Sequence, residues 1–138
     1  MMTILRNIFA VIIGLVVGGA LNMALIMAGP RVIALPPGVD GTDMLLLEPR
    51  NFVFPFLAHA LGTLVGALLA FLMAASYRSV FAYAIGAFFL AGGITVTFMV
   101  SVPIWFIILD LAAAYTPMAW IGIQLGRRII GGAGGSKT

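Results

Sequence analysis

The sequence predicts an all-α membrane protein: a four-transmembrane-helix bundle, N-in/C-in, with a long outer loop between helices 1 and 2. Three observations predict it. The chain is 63% hydrophobic and 8% charged, with a mean hydropathy of +1.21, whereas a soluble domain is about half apolar and about a quarter charged. A soluble fold of 138 residues cannot hide that much apolar surface, so the surplus faces lipid. The apolar residues also fall into four runs long enough to cross a hydrocarbon core, which takes about 20 residues. The few basic residues gather at the ends of those runs, as membrane topology requires, which accounts for the net charge of +3 without nucleic acid.

The first helix is expected over residues 4–28. Its apolar run, Asn7 to Ala28 after Arg6, exceeds the about 7–15 residues of a signal-peptide core, and no A-x-A cleavage site follows, so it reads as a retained helix. Gly29-Pro30 should end it, because proline removes a helix hydrogen bond. Residues 30–51 hold Pro36, Pro37, Gly38 and Gly41 with Asp40, Asp43 and Glu48, the composition of a solvent-facing loop. Within it, Thr42–Glu48 has the pattern of a short amphipathic surface helix capped by Thr42 or Asp43.

The second helix is expected over 52–76, with Pro55 in its first turn, where a missing N–H costs little. Ser76-Tyr77-Arg78-Ser79 reads as a tight turn, and the third helix as 80–100. Ser101-Val102-Pro103 separates it from a fourth helix over 103–126, which Pro117 should kink. Residues 1–130 thus form a single transmembrane domain, and the glycine-rich tail 131–138 is expected to be disordered. Arg6, Arg78, Arg127, Arg128 and Lys137 fall on the side of the termini, against Arg31 and Arg50 on the other. The positive-inside rule then puts both termini in the cytoplasm. Trp105 near the outer boundary and Trp120 nearer the inner one fit an aromatic belt.

The second helix carries Ala58, Gly62, Gly66, Ala70 and Ala74, a small residue at every fourth position. Such a stripe lets helix backbones approach closely in lipid. Gly14 and Gly18 on the first helix offer a matching pair. The stripe serves either packing within one bundle or an interface between copies.

Ionisable groups within a span are costly and often functional. At about 1.5 Å per residue, His59 and Asp110 each lie about 10 Å below the outer ends of their helices. Asn22 and Thr95 lie about 9 Å below theirs. The four helices therefore each give one residue, Asn22, His59, Thr95 and Asp110, to a polar intramembrane layer. A His59–Asp110 pair is the natural contact, with Asn22 and Thr95 completing its hydrogen bonds and Thr63 extending the layer inward. Such a layer either fixes helix register or forms a site for a solute or proton.

Other chemistries find no support. The chain has no cysteine, which excludes disulfides, thiolate chemistry, Cys-ligated zinc and iron–sulfur clusters. A single histidine excludes a bis-histidine haem or a His-rich metal site within one chain. There is no Gly-rich phosphate loop, G-x-S-x-G elbow or H-E-x-x-H helix. Asp40-Gly41-Thr42-Asp43 lacks the spacing of a calcium loop and reads as a turn. Met23 and Met27 read as membrane filler. No metal or cofactor is expected, and catalysis would have to rest on His59 and Asp110 alone as an acid–base pair.

Two stretches, EPRNFVFPFLAHALGTLVGALLA at 48–70 and PIWFIILDLAAAYTPMAWIG at 103–122, together resemble a family of small bacterial four-helix inner-membrane proteins with no assigned activity. The resemblance covers most of the chain and implies a bacterial inner-membrane location. Small multidrug transporters and fluoride channels share the size and helix number. The first need a carboxylate in the first helix, absent here, and the Thr-rich run of the second is poorly matched by Thr95-Val96-Thr97-Phe98. The expected function is a non-enzymatic membrane protein with a structural, accessory or interaction role. The alternative is a small oligomeric transporter or channel using the polar layer. The expected partners are the lipid bilayer and a homo-oligomer or larger membrane complex, with no nucleic acid.

Overall fold

The structure, a computed structural model, describes residues 1–134. Five α-helices follow one another: α1 (Met2–Val32), α2 (Val53–Met73), α3 (Arg78–Met99), α4 (Ile104–Ala113) and α5 (Thr116–Gly134). They make four stretches long and apolar enough to cross a membrane, because α4 and α5 together form the fourth. Among the described residues there is no β-strand, only an isolated parallel bridge between Asp43 and Ser101.

Helix limits differ from the sequence expectation for identifiable physical reasons. The first helix does not stop at Gly29-Pro30. The fixed φ of proline is itself helical, and its missing N–H removes one bond without reversing the chain. The helix runs on to Val32 and ends where Ile33 turns extended, its N–H donating to Gly29 O at 2.8 Å. The second helix ends at Met73 rather than residue 76, because Ala74 is extended (φ −60°, ψ 141°). Asn7 of α1 explains the early stop. Its Oδ1 accepts the N–H groups of Ala75 and Ser76 at 2.8 and 3.3 Å, and its Nδ2 donates to Ser76 Oγ at 2.9 Å. Arg6 Nε and Arg78 Nε donate to the freed carbonyls of Met73 and Ala74 at 2.8 and 3.1 Å. Tyr77 then reverses the chain in the left-handed region (φ 47°).

The fourth span is interrupted at Ala114 and Tyr115, just before Pro117. Pro117 sits in the first turn of α5, and in a continuous helix its ring would clash with the carbonyl of Ala113. The expected amphipathic helix at 42–48 is a single 3₁₀ turn, Met44–Leu46, capped by Asp43, which accepts the Leu45 N–H at 3.1 Å. Of the glycine-rich tail, Gly131–Gly134 continue α5, and the remainder of the predicted tail lies outside the described residues.

The central helix is α2, packed against α1, α3 and α5. Its small-residue stripe meets α1 glycine to glycine. A Cβ added at Gly14 would lie 2.6 Å from Gly66 O, and one at Gly18 would lie 2.5 Å from Gly62 O. Only glycine permits that approach, and it brings dispersion contacts that replace the absent hydrophobic drive. Toward the end bearing the termini the bundle closes around Ala67, Ala70, Phe71, Ala82, Ile85, Ala119 and Ile123. Toward the other end it opens.

A candidate intramembrane polar site

His59, two turns into α2, faces Asp110 of α4. Its Nδ1 lies 2.9 Å from both carboxylate oxygens, so an N–H there donates across the whole carboxylate. Asp110 is buried, with 5% of its surface exposed. Its Oδ2 also accepts the hydroxyl of Tyr115 at 3.0 Å. The Tyr115 ring stacks on the imidazole, with centroids 5.7 Å apart and planes inclined by 27°. Asp110 is thus held by two donors, and the imidazole is fixed by a hydrogen bond at one edge and a ring on one face. That leaves His59 Nε2 as the polar atom the ring can offer to a ligand or a water.

The break in the fourth span builds this arrangement. Tyr115 is five residues beyond Asp110, and in a continuous helix the two would point about 140° apart. With the chain broken at Ala114 and Tyr115, the hydroxyl returns to the carboxylate. Tyr115 is not among the site residues that the sequence predicts. The signal was present in Pro117, which demands a break in the turn that holds Tyr115.

Two cavities meet at His59. The larger, about 340 Å³, runs from the 33–48 loop down to His59 and Asp110. Leu35, Met44 and Leu47 of the loop and Phe106 and Ile107 of α4 line it, with Asp40 and Thr97 among its few polar neighbours. The loop is tied over it by the Asp43–Ser101 bridge and by Asn51 Nδ2, which donates to Ala34 O at 3.0 Å. The smaller cavity, about 190 Å³, lies among Asn22, His59, Gly62, Thr63, Phe89 and Tyr115. In its walls Asn22 Oδ1 and Thr63 Oγ1 are buried with no hydrogen-bond partner.

The expected layer is therefore assembled in part. His59 and Asp110 are bonded, and Asn22 and Thr63 share a cavity with His59 without bonding to the pair. Thr95 does not join it. It is exposed on α3, and its hydroxyl donates to Ala91 O of its own helix at 2.8 Å. Among the described residues no three His, Cys, Asp or Glu side chains converge. Compared with family models, with curated proteins and with solved structures, the chain shows no match.

Proposed function

We propose that the chain is a non-enzymatic, multi-pass protein of the bacterial inner membrane, with both termini in the cytoplasm, that binds a small solute at His59 and Asp110 and carries it across the bilayer. The observation that carries this reading is the cavity of about 340 Å³ that descends from the 33–48 loop and ends on that pair. Its size falls at the low end of the about 300–1,000 Å³ typical of ligand sites, and its apolar walls with a few convergent polar groups are the usual composition. A polar layer that served only to hold helices in register would be best fully bonded. Here Asn22 Oδ1 and Thr63 Oγ1 are left for an occupant, since a buried polar group without a partner costs free energy. The core cluster fills the half of the bundle beyond the cavities, the closed side that a carrier requires.

Flux into proteoliposomes tests the proposal. Small cationic, neutral and anionic solutes are offered outside vesicles containing the wild-type protein or His59→Asn. Uptake of at least one class, lost in the variant, is expected. Equal uptake with His59→Asn, or none by either protein, would overturn the carrier reading and leave an accessory role.

A further inference from the structure

We propose that the solute is an amphipathic amine, bound as its ammonium ion with its hydrocarbon part in the larger cavity and its cationic head beside the His59–Asp110 pair, where the two cavities share His59, Gly93 and Val96. This rests on the solute-binding reading above and specifies the chemistry of that site. The first argument is charge. The larger cavity is lined by Asp40, His59 and Asp110 and by no lysine or arginine. With Asp110 ionised, or with a single proton shared across the His59–Asp110 hydrogen bond, the pair is neutral or negative. At the mouth, Thr42 donates to Asp40 from its hydroxyl at 2.7 Å and from its N–H at 3.0 Å. These two bonds hold the Asp40 carboxyl below the usual carboxylate range. The cavity wall therefore carries carboxylates and no fixed positive charge. An anionic head would meet carboxylates in a medium of low dielectric, whereas a cation would be attracted to them.

The second argument is hydrogen bonding. Thr63 is 1% exposed and its Oγ1 has no partner, and Asn22 Oδ1 is in the same position. Both atoms accept hydrogen bonds, and an alkylammonium group is a compact cluster of donors with no acceptor of its own. The third argument is the wall. Phe106, Ile107 and Leu111 line the larger cavity together with Asp110, so its wall is aromatic and aliphatic. Aromatic faces attract cations, and the aliphatic side chains suit the carbon chain. An alcohol of the same length would satisfy the hydrogen bonds without using the charge, and a carboxylate would oppose it.

Calorimetric titration of the protein in phosphatidylcholine nanodiscs, corrected with empty nanodiscs, separates these cases. Hexylamine, hexanol and hexanoate are the probes. Hexylamine is expected to bind at least about tenfold more tightly than hexanol, the factor that one charge-assisted hydrogen bond supplies, with hexanoate weakest. Asp110→Asn should remove that preference. Thr63→Val, nearly isosteric and free of any change in charge, should weaken hexylamine by about tenfold and hexanol less. Addition of phosphatidylethanolamine to the nanodiscs distinguishes a lipid amine from a free one: competition with hexylamine assigns the amine to the lipid, and its absence to a free solute. Hexanol or hexanoate binding as tightly as hexylamine would overturn the amine assignment while leaving the carrier reading in place. If no probe binds, the solute-binding site itself fails. Hexylamine binding untouched by both substitutions would also overturn the proposal.

Discussion

At the residue scale the decisive group is Asp110, because it accepts from two partners of different worth. His59 donates to both of its oxygens at 2.9 Å, and Tyr115 donates to one at 3.0 Å. Removing one hydrogen bond to a carboxylate that keeps its other partner costs about 1.5–3 kcal/mol. Removing one partner of a buried ion pair costs about 3–5 kcal/mol. Tyr115→Phe should therefore destabilise the protein by the smaller amount and His59→Ala by the larger, measured by unfolding in mixed dodecylmaltoside and dodecyl sulfate micelles. Equal losses would mean that the imidazole is not the main partner. The His59–Asp110 contact was legible in the sequence because depth along two helices places both groups in one layer, and an ionisable group in lipid needs a partner. The exclusion of Thr95 was not legible. A threonine hydroxyl can be satisfied by the carbonyl four residues back, here Ala91 O, and then demands nothing from neighbouring helices. Depth gives no rotation, and rotation decided that residue.

At the element scale the fold depends on how closely α1 and α2 approach. Gly18 and Gly19 are adjacent on α1, yet a Cβ at Gly18 meets Gly62 O at 2.5 Å while one at Gly19 meets nothing within 4 Å. Gly18→Ala must therefore push the helices apart, at a cost of about 1–3 kcal/mol. Gly19→Ala should be neutral or slightly stabilising, since alanine is the better helix former. The same micellar unfolding measurement compares them, and similar values for both would contradict the close crossing. The stripe of Ala58, Gly62, Gly66, Ala70 and Ala74 was readable because small residues recur at helical spacing, and its partners Gly14 and Gly18 share that spacing. Of the two uses open to it, the structure places Gly62 and Gly66 against α1 of the same chain. Helix ends were less readable for the opposite reason. The residue that terminates α2 is Asn7, 68 positions away from Ala75, and no local pattern around residues 73–76 announces it. Pro30 and Pro117 show how context sets the effect of proline: one is tolerated in the last turn of α1, the other sits at the start of a new helix.

At the scale of the whole molecule the issue is from which side of the bilayer His59 is reached. On the proposed topology the 33–48 loop lies on the periplasmic or extracellular side, and the core cluster should then block entry from the cytoplasm. The chain has no cysteine, so single cysteines report without background. Leu45→Cys, on the loop and 58% exposed, should react with an impermeant maleimide in intact cells. Arg128→Cys, exposed on α5, should react only after permeabilisation. Thr97→Cys, in the wall of the larger cavity, should react with a small charged methanethiosulfonate added outside, and more slowly than Leu45→Cys because the loop covers the mouth. Ile85→Cys, fully buried in the closing cluster, should stay unreactive from either side at rest. Reversed labelling of Leu45→Cys and Arg128→Cys would invert the topology and send the cavity to the cytoplasm. Reaction at Ile85→Cys from both sides would mean that the closed half admits water continuously, which is the behaviour of a pore. Reaction there only when hexylamine is present would tie the opening of that half to occupancy of the site, which is what alternating access demands.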